Sequence, residues 1–219
     1  MTTNSVADSG HVEHKVAHHF ASAHQEFSSA KLGMWLFLGQ ELLFFSALFV
    51  AYAVYRFLNP EMFLDANTHL SWEMGCLNTI VLIFSSFTMV MAVRSAQISN
   101  KKATFWYLLV TLICAGVFMI VKAFEYSAKI EHGYLPSLWF SGEGLYENMH
   151  IFFGIYFVMT GLHGLHVLIG MGLLIWLIIK NHKGHFYSGY FTELENVGLY
   201  WHLVDLIWIF LFPLLYLIE

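Results

Sequence analysis

Charged side chains are scarce in this chain, and the scarcity argues against a water-soluble fold. Lys and Arg number 10 and Asp and Glu 15 in 219 residues, so charged residues make up 11%, against about 25% in a typical soluble domain. Only two cysteines occur, Cys76 and Cys114. Both sit inside apolar runs without the spacing of a metal site or a redox pair, so they read as small buried hydrophobes. Proline occurs three times: Asn59-Pro60 ends an apolar run and opens a loop, Pro136 sits in another loop, and Pro213 lies inside the last run, where a membrane bundle tolerates it. No Gly/Ser linker or internal repeat divides the chain. No basic stripe suggests nucleic acid, and the net charge of −5 says little about partners.

What the chain has instead is five long apolar stretches, roughly Leu32–Leu58, Met74–Val93, Thr104–Tyr126, Met149–Ile179 and Val197–Ile218. About 20 apolar residues carry a helix across the hydrocarbon core, and each stretch meets that length. Barrel strands would alternate polar and apolar residues, which these stretches do not. The expected fold is an all-α membrane protein, a bundle of five transmembrane helices. Residues 1–30 are expected to form a mobile polar tail and residues 31–219 the bundle.

The tail lacks an apolar core of its own, which excludes a signal peptide, and it has no Arg but carries Asp8, Glu13 and Glu26, unlike a mitochondrial transit peptide. It holds His11, His14, His18, His19 and His24, without the cysteine or dense carboxylate set that would complete a closed metal site. Lys15, Lys31, Arg94, Lys101, Lys102, Lys180 and Lys183 fall on one side of the five spans, and Arg56, Lys122 and Lys129 on the other. Cations favour the cytoplasmic side, which places the N-terminus in the cytoplasm and the C-terminus outside.

Ionisable residues inside a span are costly and are functional-site candidates by default. Glu41 is the clearest, nine residues into the first span and followed by Phe44 and Phe45 on its own face. Three roles suit it: a proton-handling group, a lipid-headgroup contact, or an acid hydrogen-bonded to a neighbouring helix. His163 and His166 share a face of the fourth span at i, i+3, and Glu195, His202 and Asp205 form a stripe on the fifth. Two polar stripes on consecutive helices predict a His–carboxylate network between them. The sharper alternative is haem held by His163 or His166 with His202. Glu147-x-x-His150 has the spacing of one arm of a carboxylate-bridged di-iron site, but no second arm exists in the chain. No metal site is expected.

Several segments, in order, are similar to a known family. Gly33-Met34 through Glu41-Leu42-Leu43-Phe44-Phe45, Leu77-Asn78-Thr79, Ala123-Phe124-Glu125-Tyr126, Thr160-Gly161-Leu162-His163-Gly164-Leu165-His166-Val167 and Tyr200-Trp201-His202-Leu203-Val204-Asp205-Leu206-Ile207-Trp208 resemble the signatures of subunit III of the bacterial haem-copper oxidases. The resemblance runs from Lys31 to Glu219. It implies a chain with no catalytic residue, haem or copper of its own, the cofactors residing in partner subunits. It implies direct packing on the catalytic subunit I in a complex with subunit II, in the bacterial inner membrane. That complex reduces oxygen, pumps protons and takes electrons from cytochrome c or a quinol. The triplet Tyr200-Trp201-His202 looks more like the cytochrome c branch. The resemblance further implies a buried carboxyl supporting proton uptake at Glu41, phospholipid contacts at Glu41, His166 and Lys180, and an intramembrane polar set that includes Glu125 and Glu195. Longer members have two more helices ahead of the Glu-containing one, and the His-rich tail stands in their place here. A quinol oxidase subunit, a nitric oxide reductase accessory protein and a free-standing carrier are the alternative readings. The last would need an internal repeat and broken helices at the midplane.

Overall fold

The computed structural model describes residues 22–134, 148–184, 186 and 190–218. They fold into six α-helices with no β-strand among them: α1 (Ala23–Leu58), α2 (Pro60–Thr68), α3 (Trp72–Gln97), α4 (Lys101–Glu131), α5 (Met149–His182) and α6 (Thr192–Tyr216). All but α2 are long and apolar enough to span a membrane, so the five expected spans are present. His11, His14, His18 and His19, and Glu147 of the expected metal-binding arm, lie outside the described residues.

Two helix boundaries differ from the sequence reading, each for a local reason. The first helix begins well ahead of Leu32, because the Ser22 side chain accepts from the Gln25 N–H (3.2 Å) and caps a polar first turn. Pro60 does not simply open a loop: it takes the first position of α2, where its missing N–H costs nothing and its fixed φ suits a helix. Met62, Phe63 and Ala66 turn the inner face of α2 into the bundle, and Asn67 Nδ2 donates to the carbonyl of Ile218 (3.2 Å). Pro213 leaves α6 continuous to Tyr216.

α3 and α4 form the closest hairpin, turned through Ser99 in the left-handed region (φ 57°) and capped by Asn100, which accepts from the Ala103 N–H (3.1 Å). α6 lies at the centre and buries Trp201, Val204, Trp208 and Leu211 against α3 and α5. α5 approaches it closely at Gly170, where a Cβ would lie 2.7 Å from Trp201 Cζ3. Gly170→Val is therefore expected to overpack this crossing and cost about 1–3 kcal/mol. A lowered melting temperature of the purified protein would register it, and an unchanged one would contradict the close approach. α1 leans on α6 and touches α5 only lightly, leaving an open groove among the three. Outward-facing Leu36, Leu43, Phe57 and Phe124 are 68%, 74%, 85% and 69% exposed. Such a surface is unstable in water and ordinary in lipid.

Candidate functional site

The groove among α1, α5 and α6 encloses about 340 Å³ and has Glu41 and His166 in its wall, beside Phe37, Ile169, Val197 and Tyr200. Glu41 Oε2 lies 3.0 Å from His166 Nε2, and His166 Nδ1 lies 2.7 Å from the carbonyl oxygen of Leu162 one turn back. A carbonyl can only accept, so Nδ1 carries a hydrogen. The contact at Nε2 then needs one further proton. A neutral acid donates it to a neutral ring, or an imidazolium donates it to a carboxylate. Both side chains line the groove and are largely buried, His166 at 13% and Glu41 at 14% exposed. Phe45 packs its edge on His166 at 5.1 Å between centroids, and Tyr200 Oη donates to the His166 carbonyl (2.9 Å).

The remaining expected polar residues do not form one network between α5 and α6. Each turns to a different neighbour. Glu195 accepts from Lys31 of α1 (3.0 Å). His202 Nδ1 contacts Ser86 Oγ of α3 (2.7 Å), and Asp205 accepts from Ser85 (3.5 Å), which also receives the Trp201 Nε1–H (3.1 Å). His163 is fully buried between Phe118 (5.4 Å) and Trp208 (5.2 Å), and neither ring nitrogen has a hydrogen-bond partner among the described residues. Three histidines with three separate sets of neighbours do not fit the axial pair that haem requires. Among the described residues, no three His, Cys, Asp or Glu side chains gather closely enough to hold a metal ion.

Lys180 meets Glu193 with both carboxylate oxygens (2.7 and 2.6 Å) and lies over the Trp176 ring at 4.3 Å. Its expected role as a lipid contact left out this partner, which lies in the first turn of α6.

The largest departure is Lys122. Its place in the sequence groups it with Arg56 and Lys129 on the outer side, yet its side chain is buried inside the bundle. Its ammonium donates to Glu125 Oε2 (2.9 Å) and Tyr216 Oη (2.6 Å), and lies over the rings of Trp208 (4.6 Å), Tyr216 (5.2 Å) and Tyr156 (5.4 Å). Tyr216 in turn donates to Glu125 Oε1 (2.6 Å). Glu125, an expected polar residue, thus belongs to an ion pair wrapped by aromatic side chains from α5 and α6. The i, i+3 spacing of Lys122 and Glu125 was the available signal.

Five long apolar helices, with buried polar pairs and an acid–imidazole pair at a groove among the described residues, define a multi-pass membrane protein. The family model of cytochrome c oxidase subunit III matches residues 12–219. The chain is 32% identical over 201 residues to cytochrome c oxidase subunit 3 of Thermostichus vulcanus, covering 90% of this chain and 91% of the relative. It is 33% identical over 199 residues to the protein of the same name from Loxodonta africana, covering 86% and 69%. It is 30% identical over 207 residues to heme-copper oxidase subunit I+III of Aeropyrum pernix, covering 89% of this chain and 24% of that one. The chain belongs to the cytochrome c oxidase subunit III family, and that membership makes it part of a haem-copper oxidase complex.

Proposed function

We propose that this chain is the supporting subunit of a proton-pumping terminal oxidase in a bacterial inner membrane, with cytochrome c as electron donor. It packs on subunit I, holds phospholipid in the groove among α1, α5 and α6, and supports proton uptake through Glu41. Haem and copper belong to its partner subunits.

The observation that carries this reading is the Glu41–His166 pair in the wall of a largely apolar groove among α1, α5 and α6. Such a pair can hold one proton beside a lipid headgroup without a water-filled channel through the chain. Association with subunit I is supported by the Aeropyrum pernix relative, whose name joins subunits I and III in one polypeptide. The cytoplasmic N-terminus gains support from Lys122. Its inward turn withdraws one cation from the outer side and sharpens the asymmetry of the rest.

Affinity purification of the tagged chain tests the reading. Subunits I and II should co-purify with haem absorbance and oxygen consumption driven by reduced cytochrome c. Recovery with a nitric oxide reductase, or turnover with quinol alone, would overturn it. Within the assembled oxidase, Glu41→Gln should preserve the amount of bound chain, because the amide still donates to His166. Glu41→Ala leaves the imidazole unpaired, at a cost of about 1–3 kcal/mol, and should lower retention of the chain. Both variants should begin turnover normally and lose activity sooner than the parent. Complete loss of initial oxygen reduction in a fully assembled Glu41→Gln complex would make Glu41 catalytic and contradict the supporting role.

A further inference from the structure

We propose that the face of α1 turned away from the bundle docks a spanning helix of subunit I, held in register by a hydrogen bond to Gln40. This rests on the reading above that the chain packs on subunit I, and names the surface that makes the contact.

α1 is the span least held by the rest of the chain. Only 6% of its most apolar stretch is buried within the molecule, against 28–50% for the other four. Its bundle-facing side carries Leu38, Glu41, Phe45 and Tyr52. Leu36, Gln40, Leu43, Ala47, Val50 and Val54 lie on the side turned away, and all six are exposed. They recur at alternating steps of four and three residues, the seven-residue repeat of a seam that packs along a second helix at a shallow left-handed crossing.

Exposed apolar residues alone would suit lipid. Gln40 does not. Its side-chain amide makes no hydrogen bond among the described residues, whereas Ser46 on the same helix donates back to the Leu42 carbonyl (2.7 Å). At about 1.5 Å per residue, Gln40 lies roughly 14 Å along the axis from Lys31 and roughly 24 Å from Arg56, the cations that bracket the span. Lysine and arginine reach an interface from within a membrane by extending their long stems. Glutamine is too short to do so from this depth, and hydrocarbon offers its amide no partner. A neighbouring helix with a polar side chain at the same level does. A single polar residue in an apolar seam also fixes the register of the two helices. The partner helix therefore presents an amide, hydroxyl or imidazole opposite Gln40, with apolar residues a turn above and below it.

Subunit I is the occupant that the chain order favours. The Aeropyrum pernix relative carries subunits I and III, in that order of naming, in one polypeptide. A chain joined in that order brings the counterpart of α1, the first span here, directly after subunit I.

The test uses the whole oxidase complex in its native membrane, with photoreactive benzoylphenylalanine introduced singly at Leu36, Leu43 or Val50. Irradiation should join each of these positions to subunit I. Products with a second copy of the chain, or with lipid alone, would overturn the proposal. Crosslinks to subunit I from the same probe at Phe124 of α4, and from none of the α1 positions, would keep the packing on subunit I and overturn the choice of surface. Absence of subunit I from the purified complex would defeat the parent reading instead, and the proposal with it. In the purified oxidase, Gln40→Leu should shorten the half-life of the chain in the complex about threefold in detergent, the average effect of one interhelical hydrogen bond in a membrane. A lipid-facing glutamine predicts the opposite sign, because leucine suits hydrocarbon better. An unchanged or longer half-life would therefore overturn the role of Gln40.

Discussion

Replacing Glu125 with leucine is expected to strip the chain from the oxidase complex. Lys122 would keep its buried position, ringed by Tyr156, Trp208 and Tyr216, but would lose the carboxylate at 2.9 Å. A buried charge left without its partner costs about 3–5 kcal/mol, a large part of the about 5–15 kcal/mol that holds a typical fold together. The fraction of purified complexes that retain the chain measures the effect. Lys122→Met/Glu125→Leu should recover much of the loss, since two apolar residues of similar size replace the pair without leaving a charge behind. Normal retention of the single variant would contradict the ion pair. Failure of the double variant to recover would mean that the pair, rather than its neutralisation, specifies how α4 seats against α5 and α6.

The second large effect is expected for Trp208→Ala. Trp208 is fully buried on α6, with its ring edge-on to Phe118 (4.9 Å), tilted against His163 (5.2 Å) and beneath the Lys122 ammonium (4.6 Å). Its Nε1–H donates to Thr79 Oγ1 of α3 (3.1 Å). Truncation opens a cavity where α3, α4, α5 and α6 meet, and a buried Trp→Ala change costs about 3–5 kcal/mol. The melting temperature of the assembled complex should fall. Because Trp208 and Glu125 both contact the Lys122 ammonium, their changes should not add. A simply additive double variant would show that the rings pack without regard to the cation.

The five spans were legible because lipid imposes one rule on every residue of a spanning helix. The helix ends were less so. Apolar runs mark the depth of hydrocarbon rather than the last hydrogen-bonded turn, so the capped polar start of α1 at Ala23 lies outside the run that revealed the helix. α2 was missed because Pro60 was read as opening a loop, when proline starts helices as readily as it stops them.

The polar residues themselves were legible, and their partners were not. Glu41 and His166 each stood out as costly inside a span, but their sequence separation hides the 3.0 Å contact. His202 and Asp205 were matched to the neighbouring span, whereas the structure turns them to Ser85 and Ser86 of α3. Serines carry little sequence signal inside a membrane helix, since each can satisfy itself on a carbonyl of the preceding turn. Lys122 and Glu125 lie close to the end of an apolar run, where hydropathy cannot tell a snorkelling lysine from a buried one. Packing by Tyr156, Trp208 and Tyr216 decides between them, and those rings come from two other helices.

The role proposed for this chain is to support an oxidase whose chemistry lies in other subunits. The most direct measurement is made on the complex purified from cells lacking the chain, following the optical spectrum and the time course of oxygen consumption with reduced cytochrome c. A supporting role predicts an unchanged haem spectrum per subunit I, initial oxygen reduction that proceeds, and activity that decays over fewer turnovers than in the parent complex. Loss of a haem band, or no oxygen reduction from the first turnover, would place a redox or catalytic group in this chain and contradict it.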